Sequence, residues 1–140
     1  MSEPLSEPIP PALRDQIQAD PWARGLGVEF LELARGRCRV ALTLQAHMVN
    51  FQGAPHGGVI FSLADIAFGA ACNSHGEPAV ALSMTIGFLS AATPGTRLVA
   101  EASERRQGRR AGFYDVVVTD GRGALVATVH CVAHRVEREA

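Results

Sequence analysis

Apolar positions along the chain change period several times, and each change marks an element. In residues 11–19, Leu13 and Ile17 lie four apart, the spacing of one face of a short helix. Asp20, Pro21 and Trp22 break that pattern, and the helix is expected to end there. From Leu26 the period falls to two. Val28 and Phe30 open the run, with Leu33 less regular; Cys38, Val40, Leu42 and Leu44 then alternate with Arg37, Arg39, Ala41 and Thr43. Ala34, Arg35 and Gly36 between the two runs form a hairpin turn. A polar, glycine-containing loop spans 47–55. Residues 57–73 are apolar nearly all the way round a helical wheel, which predicts one long buried helix. Gly76 and Pro78 stop it. Four strands follow. Val80, Leu82, Met84, Ile86 and Phe88 alternate in the first, and Leu98, Ala100 and Ala102 share a face of the second. Residues 113–119 are β-branched and aromatic, and Leu125, Ala127, Val129, Cys131 and Ala133 alternate in the last.

A helix that is apolar on every side needs cover on every side. One curved antiparallel sheet wrapped around it, together with a partner molecule, would supply that cover, so the expected class is α+β. Residues 11–140 form a single domain, and residues 1–10, with Pro4, Pro8 and Pro10 and no periodicity, are expected to be a mobile arm. At 140 residues and 47% hydrophobic content the chain can bury a core without disulfide or metal staples. A net charge of -1, with the basic residues scattered, argues against nucleic-acid binding. Asp65 interrupts the one long apolar run, so no membrane span is expected. The first residues lack the basic and apolar regions of a signal peptide, and Cys38, Cys72 and Cys131 read as reduced core thiols. Together these predict a cytoplasmic protein.

Chemistry concentrates on the central helix. Asp65 is its only charged residue, and a buried carboxylate must be paired or held for a purpose. Phe61, Phe68 and Gly69 stand at helical spacing from it and would desolvate it, which favours the protonated form and suits a base working near neutral pH. Gly57 and Gly58 open the helix, where backbone N–H groups lack helical partners and a ligand can approach closely. Donors there can stabilise an oxyanion. Gly57 and Asp65 are eight residues apart, about 12 Å along a helix axis, whereas reacting groups must come within about 3–3.5 Å. If both serve one carbonyl, they come from different chains. Two antiparallel copies of the helix about a two-fold axis would bring them together, making the homodimer part of the catalyst.

Several strings make a family visible: Asn50-Phe51-Gln52-Gly53-Ala54-Pro55-His56-Gly57-Gly58, Phe61-Ser62-Leu63-Ala64-Asp65-Ile66-Ala67-Phe68 and Gln107-Gly108-Arg109-Arg110. An Asn six residues before His56 and an Asp nine after it make the pattern specific. Over residues 12–136 the chain resembles the hot-dog-fold acyl-CoA thioesterases, and within them the phenylacetic-acid-degradation subgroup. The resemblance implies a long helix wrapped by a curved sheet, dimers joined edge to edge and usually paired into homotetramers. It implies that Asp65 is nucleophile or general base on an acyl-CoA thioester and that the Gly57 N–H polarises the carbonyl. Asn50 and His56 would position the carbonyl or the water, and Asp65 would come from the opposite subunit. No metal or bound cofactor is implied, coenzyme A being part of the substrate.

Plainer roles compete at each position. His56 could simply fix its turn, and Asn50 could bond its own loop backbone. Ser83, with Thr85 on the strand face opposite Leu82 and Met84, could orient a water or only fill the sheet. Arg109 and Arg110, with Arg105 and Arg106, could reach the phosphates of coenzyme A or form a solvated hairpin tip. Phe68, with Phe51, Phe61 and Phe88, could line an aromatic acyl pocket or belong to the core. His130 and His134 are four apart, roughly 13 Å on a strand, too far to share a metal. Two other activities fit the same fold: a non-catalytic acyl-CoA-binding module, and a dehydratase or hydratase acting on an enoyl ester.

Overall fold

A computed structural model describes residues 7–136. The chain runs α1 (Pro11–Gln18), α2 (Pro21–Leu26), β1 (Glu29–Ala34), β2 (Arg37–Thr43), α3 (Gly57–Asn73), β3 (Ala79–Phe88), β4 (Arg97–Gln107), β5 (Ala111–Thr119) and β6 (Leu125–Arg135). All six strands join one antiparallel sheet in the order β1-β2-β4-β5-β6-β3. Laid flat, its outermost strands would stand about 24 Å apart, whereas a helix is only about 10–12 Å across. Yet α3 touches every strand. The sheet therefore curls around α3 without closing, as expected.

The inward strand faces are those the alternation predicted. Leu98, Ala100 and Ala102 of β4, Tyr114, Val116 and Val118 of β5, and Ala127, Val129, Cys131 and Ala133 of β6 are all buried. They meet Ile60, Leu63, Ala64, Ala67, Phe68 and Ala71 of α3. Polar bonds at the end of α3 fix its place in this wrap. Ser74 Oγ donates to the Ala71 carbonyl at 2.6 Å and accepts from the Gly36 N–H, in the β1–β2 turn, at 2.7 Å. The Asn73 amide bonds the Ala79 N–H and carbonyl at 2.9 and 3.1 Å, joining helix to β3.

Three features depart from the sequence expectation. Pro21–Leu26 is a second helix: Asp20 caps it by accepting from the Trp22 N–H at 3.1 Å, Pro21 occupies the first turn, and Gly27 at φ 80 ends it. The Asp-Pro pair that ends one helix is also a start signal for the next. Secondly, the arm expected over 1–10 is docked where it is described. Ile9 is buried, and Glu7 accepts from the Arg35 N–H at 2.8 Å and pairs with its guanidinium at 3.2 Å. Residues 1–6 lie outside the described residues. Thirdly, β3 does not bury the whole alternating row. Met84 and Ile86 pack on the core, but a register shift between Ala81 and Ser83 leaves Leu82 67% exposed. β3 ends the sheet, and its free side carries exposed Val80, Leu82 and Phe88.

Candidate active site

The start of α3 has one open donor. His56 is its N-cap, with extended backbone at φ -70 and ψ 131, and its Nδ1 accepts from the Gly58 N–H at 3.0 Å. The Val59 N–H bonds the His56 carbonyl at 3.0 Å. Gly57 N–H, between them, has no partner among the described residues. The cap also assigns the imidazole: Nδ1 must offer a lone pair, so the neutral ring carries its proton on Nε2 as a second donor. Gly58, expected to bind substrate, gives its N–H to the cap, and a Cβ there would meet His56 Nδ1 at 3.1 Å.

Asn50 shapes the loop before the helix. Its Oδ1 accepts from the Gln52 and Ala54 N–H groups at 2.9 and 3.1 Å, and its Nδ2 is left with no partner among the described residues. The plainer role is therefore present, with one amide donor spare.

Asp65 lies half-buried in a cavity of about 520 Å3. The α3 side of that cavity is Asp65, Ile66, Gly69, Ala70 and Asn73, a stripe at positions i, i+1, i+4, i+5 and i+8. Leu13 and Ile17 of α1, Trp22 of α2 and Phe30 of β1 also line it. Among the described residues, no donor or cation pairs with the Asp65 carboxylate. Its pKa is raised, first by burial and then by the charge of Asp20, which lines the same cavity. The three cysteines offer no rival nucleophile: burial pushes Cys38 and Cys131 up to about 12 and Cys72 to about 11, far from thiolate formation.

Gly57 does not share that cavity. It opens on a separate apolar one with Pro55, Ile60, Phe88 and Ala92, and its Cα packs so near Phe88 that a Cβ would stand 3.2 Å from the ring. The acid and the open donor thus belong to one helix but to different cavities of one chain.

Of the other expected residues, Phe68 takes the plainer of its two readings and lies in the core. It is 1% exposed and packs against Tyr114 with ring centroids 5.6 Å apart. Standing at i+3 from Asp65, it falls outside the stripe that lines the cavity. Ser83 is exposed and sits opposite Val132, on the strand face away from Met84 and Ile86, and does not line the Asp65 cavity. Arg109 and Arg110 are exposed at the β4–β5 turn. His130 pairs through Nδ1 with Asp115 at 2.9 Å. Sequence reasoning missed Trp22 and Phe30; the Asp20-Pro21 start signal was the clue to the first.

The thioesterase superfamily pattern matches residues 52–127, more than half of the chain. The chain is 39% identical over 117 residues to acyl-coenzyme A thioesterase PaaI of Escherichia coli strain K12, a match spanning 84% of each protein. The structure of the E. coli PaaI protein from the phenylacetic acid degradation operon matches with a TM-score of 0.85 at 37% identity, over 89% of this chain and 90% of that one. The smu.793 protein of Streptococcus mutans UA159, solved bound to acetyl CoA, matches with a TM-score of 0.76 at 26% identity, over 81% of this chain and 91% of that one. With an unpaired acid and an open helix-start donor on a helix wrapped by six strands, the chain belongs to the thioesterase superfamily, has the hot-dog fold and is a thioester hydrolase.

Proposed function

We propose that the protein hydrolyses acyl-CoA thioesters bearing aromatic acyl groups, at sites completed by two copies of the chain. The observation that carries this is the separation of Asp65 and Gly57 into different cavities. The free edge of β3 supplies a way to unite them. If two β3 strands pair antiparallel end to end, the partner's Phe88 falls opposite Ala79. Pro78, next to Ala79, lines the Asp65 cavity, while Gly57 packs on Phe88. The partner's Gly57 therefore arrives beside Asp65. The same pairing covers the exposed Val80, Leu82 and Phe88. A homodimer is the minimal active unit, and the family resemblance extends it to a homotetramer. Buried, protonated thiols suit a cytoplasmic compartment.

At such a site the thioester carbonyl accepts hydrogen bonds from the partner's Gly57 N–H, with the partner's His56 Nε2–H and Asn50 Nδ2 as further donors. Asp65 either takes a proton from the attacking water or attacks the carbonyl itself, and both routes need its ionised form. Negative charge gathers on the carbonyl oxygen, the C–S bond breaks, and the thiolate of coenzyme A leaves. On the first route it takes up the proton that Asp65 removed from water; on the second it is protonated by solvent, and a water then hydrolyses the anhydride left on Asp65, releasing the acid. Trp22 and Phe30 line the same cavity as Asp65 and favour a flat, apolar acyl group. PaaI, from a phenylacetic acid degradation operon, supports the same acyl class.

Thiol release measured over a panel of aryl and alkyl acyl-CoAs tests this reading. We expect arylacetyl esters to give the highest kcat/KM, and Trp22→Ala to lower it by about tenfold for those esters alone, in line with the loss of one apolar pocket contact. An alkyl preference would overturn the aromatic assignment. Saturable binding without thiol release would favour the binding module, and loss of an enoyl chromophore the hydratase.

A further inference from the structure

Asp65 shares its cavity with other carboxylates. Asp20 and Glu77 line it as well, whereas among the described residues no arginine, lysine or histidine does. Glu77 is offset by Arg135, which pairs with it at 3.4 Å and lines a separate cavity with Arg109 and Arg110. Asp20 has no cationic partner among the described residues. Its Oδ1 accepts from the Trp22 N–H at 3.1 Å.

Asp20 therefore acts on the cavity twice. As the cap of α2 it starts the helix that brings Trp22 to the cavity lining. As a half-buried charge it makes the cavity anionic. Asp65 feels that charge: after burial, Asp20 is the next cause of its raised pKa. The cap itself needs only an acceptor oxygen, which Asn or Ser would supply. The charge is left over for the cavity. An acyl group with a carboxylate of its own would have to leave water and lie near Asp20 and Asp65 with no cation to pair with. Burying an unpaired charge is costly, and like charges beside it raise the cost. A neutral aryl group meets Trp22 and Phe30 without that penalty.

We infer that Asp20 is a specificity-determining residue, a charge filter that admits uncharged acyl groups and rejects those carrying a carboxylate. This filter rests on the acyl-CoA reading above: Trp22 and Phe30 select the shape of the acyl group, and Asp20 its charge. The other groups around Asp65 supply no compensating cation. Cys72 on α3 and Cys131 on β6 are thiols that burial pushes up to about 11 and about 12. The partner's His56, which the shared site adds, spends its Nδ1 lone pair on its own cap and arrives neutral.

The test compares the wild type, Asp20→Asn and Asp20→Ser on two esters of one shape, (4-carboxyphenyl)acetyl-CoA and (4-carbamoylphenyl)acetyl-CoA. Both replacements keep an oxygen for the Trp22 N–H, so thermal melts should stay close to wild type. The wild type is expected to favour the carbamoyl ester in kcat/KM by about a hundredfold or more. Each variant should narrow that preference by about tenfold, the remainder being the opposition of Asp65 itself. The acid limb of kcat/KM on the carbamoyl ester should also move to lower pH, since removing the Asp20 charge lowers the Asp65 pKa. Equal wild-type constants on the two esters, or a preference unchanged in both variants, would overturn the filter and leave the thioesterase reading intact. A narrowed preference with an unmoved acid limb would assign the effect to pocket shape and overturn the filter too. A wild type that cleaves phenylacetyl-CoA but neither substituted ester rejects on size, with the same consequence. A wild type that releases thiol from none of the three would overturn both readings.

Discussion

Replacing Asp65 with Asn is expected to lower kcat on an arylacetyl-CoA by roughly a hundred- to ten-thousandfold, the range for removing a catalytic proton acceptor. Fold and assembly should survive, since the amide has the same shape and Asp65 holds no structural partner among the described residues. Stability should not fall. The Asp65 pKa is raised in the folded chain, chiefly by burial, so folding favours its protonated form. Its contribution to stability is then fully present below the ordinary carboxylate range and is lost as pH rises through the raised value. At neutral pH the ionised acid is a burden that Asn lacks, and the melting temperature of the variant should equal or exceed that of the wild type. The same shift places the acid limb of the wild-type kcat/KM profile above the ordinary carboxylate range. Kinetics, thermal melts and light scattering on one preparation check all of this. A variant with wild-type kcat would remove Asp65 from the mechanism.

The second large effect is expected from Gly57→Pro, which deletes the open N–H itself. Proline suits the first position of a helix. It also demands extended backbone from the residue before it, and His56 already has φ -70 and ψ 131. The Phe88 ring stands 3.2 Å from a Cβ at this position, so any side chain placed here meets it. Losing one oxyanion donor should lower kcat by about a hundred- to a thousandfold with little change in KM. Gly57→Ala is the control: it meets the same ring but keeps the N–H, and should retain most of the activity. Equal losses in the two variants would assign the effect to packing against Phe88.

The sequence made the candidate pair visible because it stood out against its surroundings. A single charge in a long apolar helix and two glycines at its start need no tertiary information to be noticed. Their separation was equally legible, since helical rise is a local constant. What stayed hidden came from elsewhere in the chain. Leu13, Ile17, Trp22 and Phe30 precede Asp65 by 35 residues or more, and only the packing of α1, α2 and β1 brings them to it. Phe68 had two readings because a sequence does not show which way the cavity stripe drifts; it runs toward Gly69 and Ala70, whose small side chains open it. The alternation in β3 was read correctly as a strand, but an end strand has one side unpaired, and that follows from sheet order. His56 was noticed as a candidate, yet its use of Nδ1 on Gly58, which leaves Gly57 as the open donor, is a matter of rotamer. The cavity that Arg109, Arg110 and Arg135 line needs three segments at once: the turn after α3, the β4–β5 turn and the end of β6.

The central claim is that each site takes its acid from one chain and its open donor from another. Mixed dimers of Asp65→Asn and Gly57→Pro chains test it most directly. If the sites are shared, every mixed dimer has one site with both defects and one with neither. Random pairing of equal amounts should then restore about a quarter of wild-type activity, because half the dimers are mixed and each has one intact site. If acid and donor came from the same chain, every site in every dimer would carry one defect. Activity of the mixture no higher than the mean of the two variants alone would contradict the account.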